Sequence, residues 1–428
     1  MKPTNPDTRT SLLARARPVA LFIFAAGSLA VPGTAFADRI QLHEALIIAA
    51  STHPSVAARR SDREAAGQRL EAAEWGRYPS LSAQYGSDQL GRRSTTTRIE
   101  QPLWTGGQIT GRIDGAGAGV RGAEASVIES QQEIMTRVAT AFTELGRVRA
   151  RQTAAASNVT EHERLAALIG RRVKSQVSPA SDGVMAQARL AQARAELSQL
   201  DALEARARAT LEQALDRKVT DIDLPAKRRL PFASLAATTD AAINYSPALR
   251  RLSASEEAAA AEVVVRRGAT MPRVVARYDH TFGDSTLSGD RIFVAMEYQL
   301  GAGLSSFASV REAEALRQAT LLAREAARRD LLDAVSADWG DLEALGKQAT
   351  DLRSQVDATT EVFDSFVRQY SVGRKTWIDV LNAQREASQA RYALADAEWG
   401  SLRAAVRLQL ATGEITAASL LSSTTKGR

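Results

Sequence analysis

The sequence predicts a mainly α fold with membrane-type β-hairpins, made by laying one structural unit down twice. Three observations predict it: an internal duplication, two segments of period-two alternation, and long proline-free runs rich in Ala, Leu, Glu, Arg and Gln. His53-Pro54-Ser55-Val56 returns as Ser246-Pro247-Ala248-Leu249, and Tyr78-Pro79-Ser80-Leu81 returns as Met271-Pro272-Arg273-Val274, both 193 positions on. Asp182, followed by Ala186-Gln187-Ala188-Arg189, answers Asp379, followed by Ala383-Gln384-Arg385, now 197 positions on. A register that slips by only four residues marks two copies of one unit with a variable loop inside. Each copy reads helix, β-hairpin, long helix, helix.

The N-terminal 37 residues read as an export signal. Lys2, Arg9, Arg15 and Arg17 make a basic start, Val19 to Val31 is an apolar run too short to span a bilayer, and Ala35-Phe36-Ala37 is a small-residue cleavage site. The organisation expected is therefore a signal over 1–37, a first repeat over 38–225, a second over 226–415, and a flexible tail over 416–428. Removing the signal takes the formal charge from +6 to about +3, so the basic balance gives no argument for a nucleic-acid partner. Cysteine is absent, which suits an oxidising compartment without disulfide staples and excludes an acylated N-terminal Cys.

The hairpins carry the only membrane-compatible pattern after the signal, because apolar runs such as Ala45 to Ala50 are short and flanked by polar residues. Leu81, Ala83 and Tyr85 alternate with Ser80, Ser82 and Gln84; Thr97, Ile99 and Gln101 alternate with Arg98 and Glu100. In the second hairpin Ile292, Val294, Met296, Tyr298 and Leu300 alternate with Arg291, Glu297 and Gln299. Period two gives a strand one apolar and one wet face. Polar, Gly-containing turns are expected over Ser87 to Ser94 and Gly283 to Asp290, with strands of roughly the 9–11 residues that cross a bilayer at a tilt. A soluble two-hairpin sheet has the same alternation.

The helices discriminate. From about Gly303 to Tyr370 no proline occurs, a run of roughly 100 Å at about 1.5 Å per residue, with a break expected at Gly340 or Gly346. The closing helix shows a heptad with Val380, Ala387, Leu394, Ser401 and Leu408 against Ala383, Ala390, Ala397, Ala404 and Ala411. Its counterpart has Val177, Val184, Ala191, Ser198 and Ala205 against Ser181, Ala188, Ala195, Ala202 and Ala209. Such small-residue seams specify close packing against neighbours. Aromatics are only 5% of the chain, too few to fill a conventional core of this length, and a tube fits better. Four strands cannot close a membrane barrel, which needs about eight, and an open edge cannot face lipid; three copies would supply twelve strands.

At this point the residues resemble a known family. Tyr370-Ser371-Val372-Gly373-Arg374-Lys375-Thr376-Trp377-Ile378-Asp379-Val380-Leu381-Asn382-Ala383-Gln384 is similar to the helix-turn signature of the TolC-like outer membrane efflux proteins, and Gln101-Pro102-Leu103-Trp104-Thr105-Gly106-Gly107 resembles that family's second motif. The resemblance implies a trimeric, 12-stranded outer-membrane β-barrel continuous with a periplasmic α-helical barrel. It implies a passive exit duct served by a periplasmic adaptor and an inner-membrane transporter, either ATP-driven (ABC) or proton-driven, with no cofactor. By position, Tyr370 and Lys375 would latch helix pairs and Asp379 would ring the pore with Asn382, which replaces a second acidic position. Ser178, Pro179, Val372, Gly373 and Arg374 would form tips that touch the adaptor. Lys375 stands where an arginine is expected, and loss of the planar fork weakens or re-pairs such a latch. The first tip resembles those of members serving type I protein secretion; drug or metal efflux is the alternative.

Local chemistry offers competing readings. Thr376 with Asp379 is also a helix-capping pattern, and Ser178-Pro179 a helix start with Pro at the first helical position. Tyr78, Tyr85, Trp104, Phe293 and Tyr298 fit an interfacial aromatic belt or a buried core. His43, His53, His162 and His280 lack short metal-ligand spacing, and Gly115-Ala116-Gly117-Ala118-Gly119 is not followed by the Lys-Ser/Thr of a phosphate loop, so an enzyme is not expected. That glycine run permits close helix packing or a bend. A periplasmic coiled-coil adaptor is the rival class, but no lipoyl-like or compact β-domain flanks a single helical hairpin here.

Overall fold

A computed structural model describes residues 39–87, 93–223, 233–283, 289–299, 301 and 304–420; the expected export signal lies outside them. The first repeat comprises β1 (Arg39–Ile40), α1 (Leu42–Thr52), α2 (Pro54–Trp75), β2 (Ser80–Ser87), β3 (Arg93–Trp104), α3 (Gln108–Lys174), α4 (Ala180–Leu215) and β4 (Asp221–Ile222). The second comprises α5 (Leu235–Tyr245), α6 (Pro247–Gly268), β5 (Arg273–Gly283), β6 (Gly289–Glu297), α7 (Ser305–Ser371) and α8 (Trp377–Ala411).

The repeated X-Pro anchors are helix starts. His53 and Ser246 are N-caps whose side chains accept from the amides of Ser55 and Leu249, and Pro54 and Pro247 occupy the first helical turn, where a missing N–H costs nothing. The four-residue slip falls between hairpin and long helix. Three residues, 105–107, join β3 to α3, whereas seven, 298–304, join β6 to α7. α3 and α7 are each 67 residues long, roughly 100 Å, and α7 runs unbroken through Gly340 and Gly346. The expected break is absent because an isolated glycine costs a helix only about 1 kcal/mol. The glycine run in α3 serves close packing: a Cβ at Gly115 would already touch the Ala261 methyl of α6 at 3.4 Å, and α3 continues through the run as helix.

α8 lies between α3 and α7, and α3 between α4 and α8, so the chain forms a slab of helices in the order α4, α3, α8, α7. One core joins α1, α3, the C-terminal halves of α4 and α8, and Val219 around Leu46, Phe142, Leu145, Leu211 and Leu410. A second gathers Leu165, Ile169, Phe363, Tyr370, Trp377 and Val380. Ile415 and Leu420 are buried in the first core, so ordered packing continues past position 415, where the tail was expected to begin.

The two heptad seams differ. On α8 the residues Val380, Ala383, Ala387, Ala390, Ala397, Ala404 and Leu408 are buried. On α4 the corresponding seam points outward: Val184 is 70% exposed, and Ala188, Ala191, Ala195, Ala202 and Ala205 are exposed with it. What α4 buries is the neighbouring stripe Ala186, Leu190, Ala193, Leu200, Ala207 and Leu211. The expectation of a packed first-half seam fails inside one chain because α4 is a flank of the slab and α8 its middle.

Candidate functional site: the sheet faces and the helical tips

The two hairpins form one antiparallel sheet in the order β2-β3-β5-β6, joined through β3 and β5. Register pairs Leu81 with Ile99, Ile99 with Tyr278 and Tyr278 with Ile292, so these residues share one face. That face is apolar and uncovered: Leu81, Tyr85, Phe282, Ile292, Val294 and Met296 are all exposed. The opposite face is a ladder of ion pairs. Arg98 grips Asp279 with two bonds of 2.8 and 3.1 Å, Arg277 reaches Glu100 at 2.6 Å and also Glu297, and Arg273 reaches Glu297 at 2.6 Å. An apolar face outside and a paired polar face inside is the arrangement a lipid-facing barrel wall requires. β2 and β6 each leave one edge unpaired by any strand among the described residues.

The aromatic positions divide by height and by face. Tyr78, Trp104 and Tyr298 lie at the helix end of the sheet, where Tyr78 also packs on Trp75 with ring centroids 5.2 Å apart. Tyr85 lies near the opposite end, one register level with Thr95 and Phe282. Trp104, opposite Val274, and Thr95, opposite Phe282, bound a band of about 26 Å along the strands, or roughly 20 Å of height at a tilt of about 40°. Phe293 does not belong to this band. It pairs with Arg277 and so sits on the charged face, one residue out of phase with Ile292 and Val294. Period two fixes this once the register is known.

At the other end, both helix turns stop their helices in the same way. Beyond α3, the amides of Gln176 and Val177 donate to the carbonyls of Val173 and Arg172; beyond α7, those of Gly373 and Arg374 donate to Tyr370 and Gln369. These are matched Schellman endings. Gly373 adopts φ 78°, and Gln176 holds the equivalent left-handed position at φ 60° although it has a Cβ. The first tip therefore lacks the glycine but keeps the geometry. α4 begins at Ala180 with Pro179 as its N-cap, one position later than the start expected at Pro179, and Ser178 does not cap it.

The Ser178 hydroxyl instead lies 3.2 Å from the Tyr370 hydroxyl, tying the first tip to the second. Arg172 completes the junction: its guanidinium lies over the Tyr370 ring at 4.8 Å, its Nε donates to Ser178 at 3.3 Å, and Nη1 donates to the Ser371 carbonyl at 3.4 Å. Trp377 packs on Tyr370 with centroids 5.7 Å apart. Lys375 is elsewhere, its ammonium over Phe366 at 4.2 Å. Sequence reasoning named neither Arg172 nor Trp377 as a site residue; Tyr370 and Trp377, an aromatic pair seven residues apart across a glycine turn, were the available signal for the second. Val372, Gly373 and Arg374 are exposed, as is Val177.

Asp379 closes a capping box. Its Oδ2 accepts from the Thr376 amide at 3.0 Å and the Thr376 hydroxyl at 2.8 Å, while its own amide donates to Thr376 Oγ1 at 3.3 Å. The Thr376 amide, then its hydroxyl, hold the Asp379 carboxyl below the ordinary aspartate range. Within one protomer this opposes the higher proton affinity that a ring of like charges predicts. Asn382, one turn on, is exposed.

A two-faced strand wall feeding paired helices that end in matched turns defines the class: an outer-membrane channel subunit. The chain belongs to the outer membrane efflux protein family, whose model matches residues 46–217 and 238–414. It is 27% identical over 203 residues to the outer membrane efflux protein BepC of Brucella suis, spanning 46% of this chain and 44% of that relative, less than half its length. The fold is that of the outer-membrane channel OprN (TM-score 0.79, 21% identity, 87% and 89% of the two chains) and of VceC from Vibrio cholerae (TM-score 0.77, 18% identity, 87% and 96%). Family membership places the protein in the outer membrane with a periplasmic portion.

Proposed function

We propose that three copies of this chain share one 12-stranded barrel, continuous with a periplasmic helical barrel, and serve as the exit duct of a tripartite export system. The observation that carries the reading is the sheet, with an uncovered apolar face, a paired polar face and two open edges. Open edges in lipid leave backbone groups without partners at several kcal/mol each, so β2 must meet β6 of another copy. Two copies would give eight strands, whose interior side chains fill, whereas three leave room for a duct. The tips around Ser178, Pro179, Val372, Gly373 and Arg374 would meet a periplasmic adaptor, and Asp379 with Asn382 would line the aperture. The inner-membrane partner would supply the energy.

Type I protein secretion, which the sequence of the first tip resembles, and drug or metal efflux are the two cargo classes for this duct. The efflux description of the family and of BepC favours small-molecule efflux as cargo. Deleting the gene and complementing it tests both points. Sensitivity to drugs or metals with unchanged secreted protein is expected; loss of a secreted protein alone would return the reading to type I secretion. Purified protein that forms no conducting pore in planar bilayers would overturn the duct itself.

A further inference from the structure

Between α3, α4 and α8, one turn beyond Asp379, lies a half-enclosed cavity of about 580 Å³, within the size range of small-molecule sites. Its floor is rigid: Asn158 Oδ1 accepts from Gln384 Nε2 at 2.9 Å and from Ser388 Oγ at 3.0 Å, all three residues buried. Two guanidinium groups line it, Arg189 from α4 and Arg385 from α8. Neither meets a carboxylate among the described residues. Arg189 donates only to the Gln192 amide oxygen at 3.0 Å, and Arg385 has no hydrogen bond or ion pair among the described residues.

Several other arginines of the same helices do hold carboxylates. Arg147 and Arg151 share Asp396, Arg149 holds Glu204, Arg194 holds Glu163 and Arg407 holds Asp338. Glu196 is the one carboxylate lining the cavity, which leaves a formal excess of one positive charge over the two arginines. The Tyr392 hydroxyl is buried beside Glu196, and burial, then the Glu196 charge, pushes it up to about 12, so it stays protonated. Burial, then Arg189, lowers the His162 pKa and keeps that imidazole neutral in the same wall. Two guanidiniums without carboxylate partners beside a fixed floor fit an oxyanion, which guanidinium binds in bidentate fashion.

We propose that this cavity is a regulatory site for a small multivalent oxyanion, such as a tricarboxylate, held between Arg189 and Arg385. Arg189 belongs to the α3/α4 pair and Arg385 to the α7/α8 pair, so a bridging anion ties the pairs together. Binding that favours this arrangement stabilises it by mass action and holds the aperture as seen here. The regulatory consequence rests on the reading that Asp379 and Asn382 face the duct.

Citrate is the probe, titrated calorimetrically into the full-length protein in detergent with acetate as the monovalent control. One citrate per chain is expected, with Arg189→Gln and Arg385→Gln each weakening it by about tenfold or more and the exposed control Arg206→Gln leaving it unchanged. No citrate binding, or equal loss in all three variants, overturns the site. In planar bilayers citrate should lower the conductance of the wild type and not of the two cavity variants. Binding without any change in conductance overturns the regulation. A protein that conducts under no condition refutes the duct reading alone, and calorimetry still decides the anion site.

Discussion

α3 and α7 occupy equivalent places in the two repeats and have the same 67-residue length, yet α3 buries nineteen residues and α7 only seven. α3 is packed on several sides, by α1, α2, α4, α6 and α8; α7 touches α5, α6 and α8 and leaves Phe307, Leu316, Leu322 and Val362 exposed. The backbone was duplicated and its environment was not. One copy became the spine of the protomer, and the other, with α4 on the opposite flank, presents apolar surface that a neighbouring copy is proposed to cover. Apolar residues on a flank are worth about 1.5–3 kcal/mol each only once covered.

The comparison breaks most visibly in the cores. Phe142→Ala on α3 removes a fully buried ring and should cost about 3–5 kcal/mol, read as a lower melting temperature and a poor yield of folded protein. Leu322→Asp on α7 should leave the helix content unchanged while abolishing the higher-mass species in detergent. Equal melting losses in the two variants would show that α7 is as internal as α3.

The two tips sharpen it further. Thr376→Ala removes the capping box of α8 and should cost about 1 kcal/mol, seen as faster amide exchange over Trp377 to Val380. Acid should act on the same turn. Asp379 is held below its ordinary value, so its contribution is fully present above about pH 4 and lost as pH falls through the folded value. Exchange that quickens at this turn only above neutral pH would contradict that sign. Tyr370→Phe deletes one hydroxyl bond to Ser178 while keeping the Arg172 and Trp377 contacts, and should cost about 0.5–1.5 kcal/mol locally. The smallest effect is a gain. Gln176→Gly relieves a left-handed non-glycine residue and should slow exchange at the first tip by roughly 0.5–1 kcal/mol, whereas Gly373→Ala should speed it at the second.

Much of this was legible in the sequence, for reasons of period and punctuation. The X-Pro anchors mark helix starts in any context, and alternation marks strands, so the repeat, both hairpins and the long helices follow from local rules. Faces did not. Phe293 looked like a girdle residue until the pairing with Arg277 fixed its phase, and the small-residue seam of α4 looked internal because a heptad says that a face packs without saying against which chain. At the tips, the Thr376–Asp379 cap was legible as a local pattern, but Arg172 reaches Tyr370 from 198 residues away, a contact no local pattern encodes.

The claim that the flanks of the slab and the edges of the sheet await other copies has one direct measurement, the mass of the intact assembly in detergent by native mass spectrometry. The account predicts a single species of three chains, converted to lower-mass forms by Leu322→Asp. A monodisperse monomer that still conducts ions in a bilayer would contradict it.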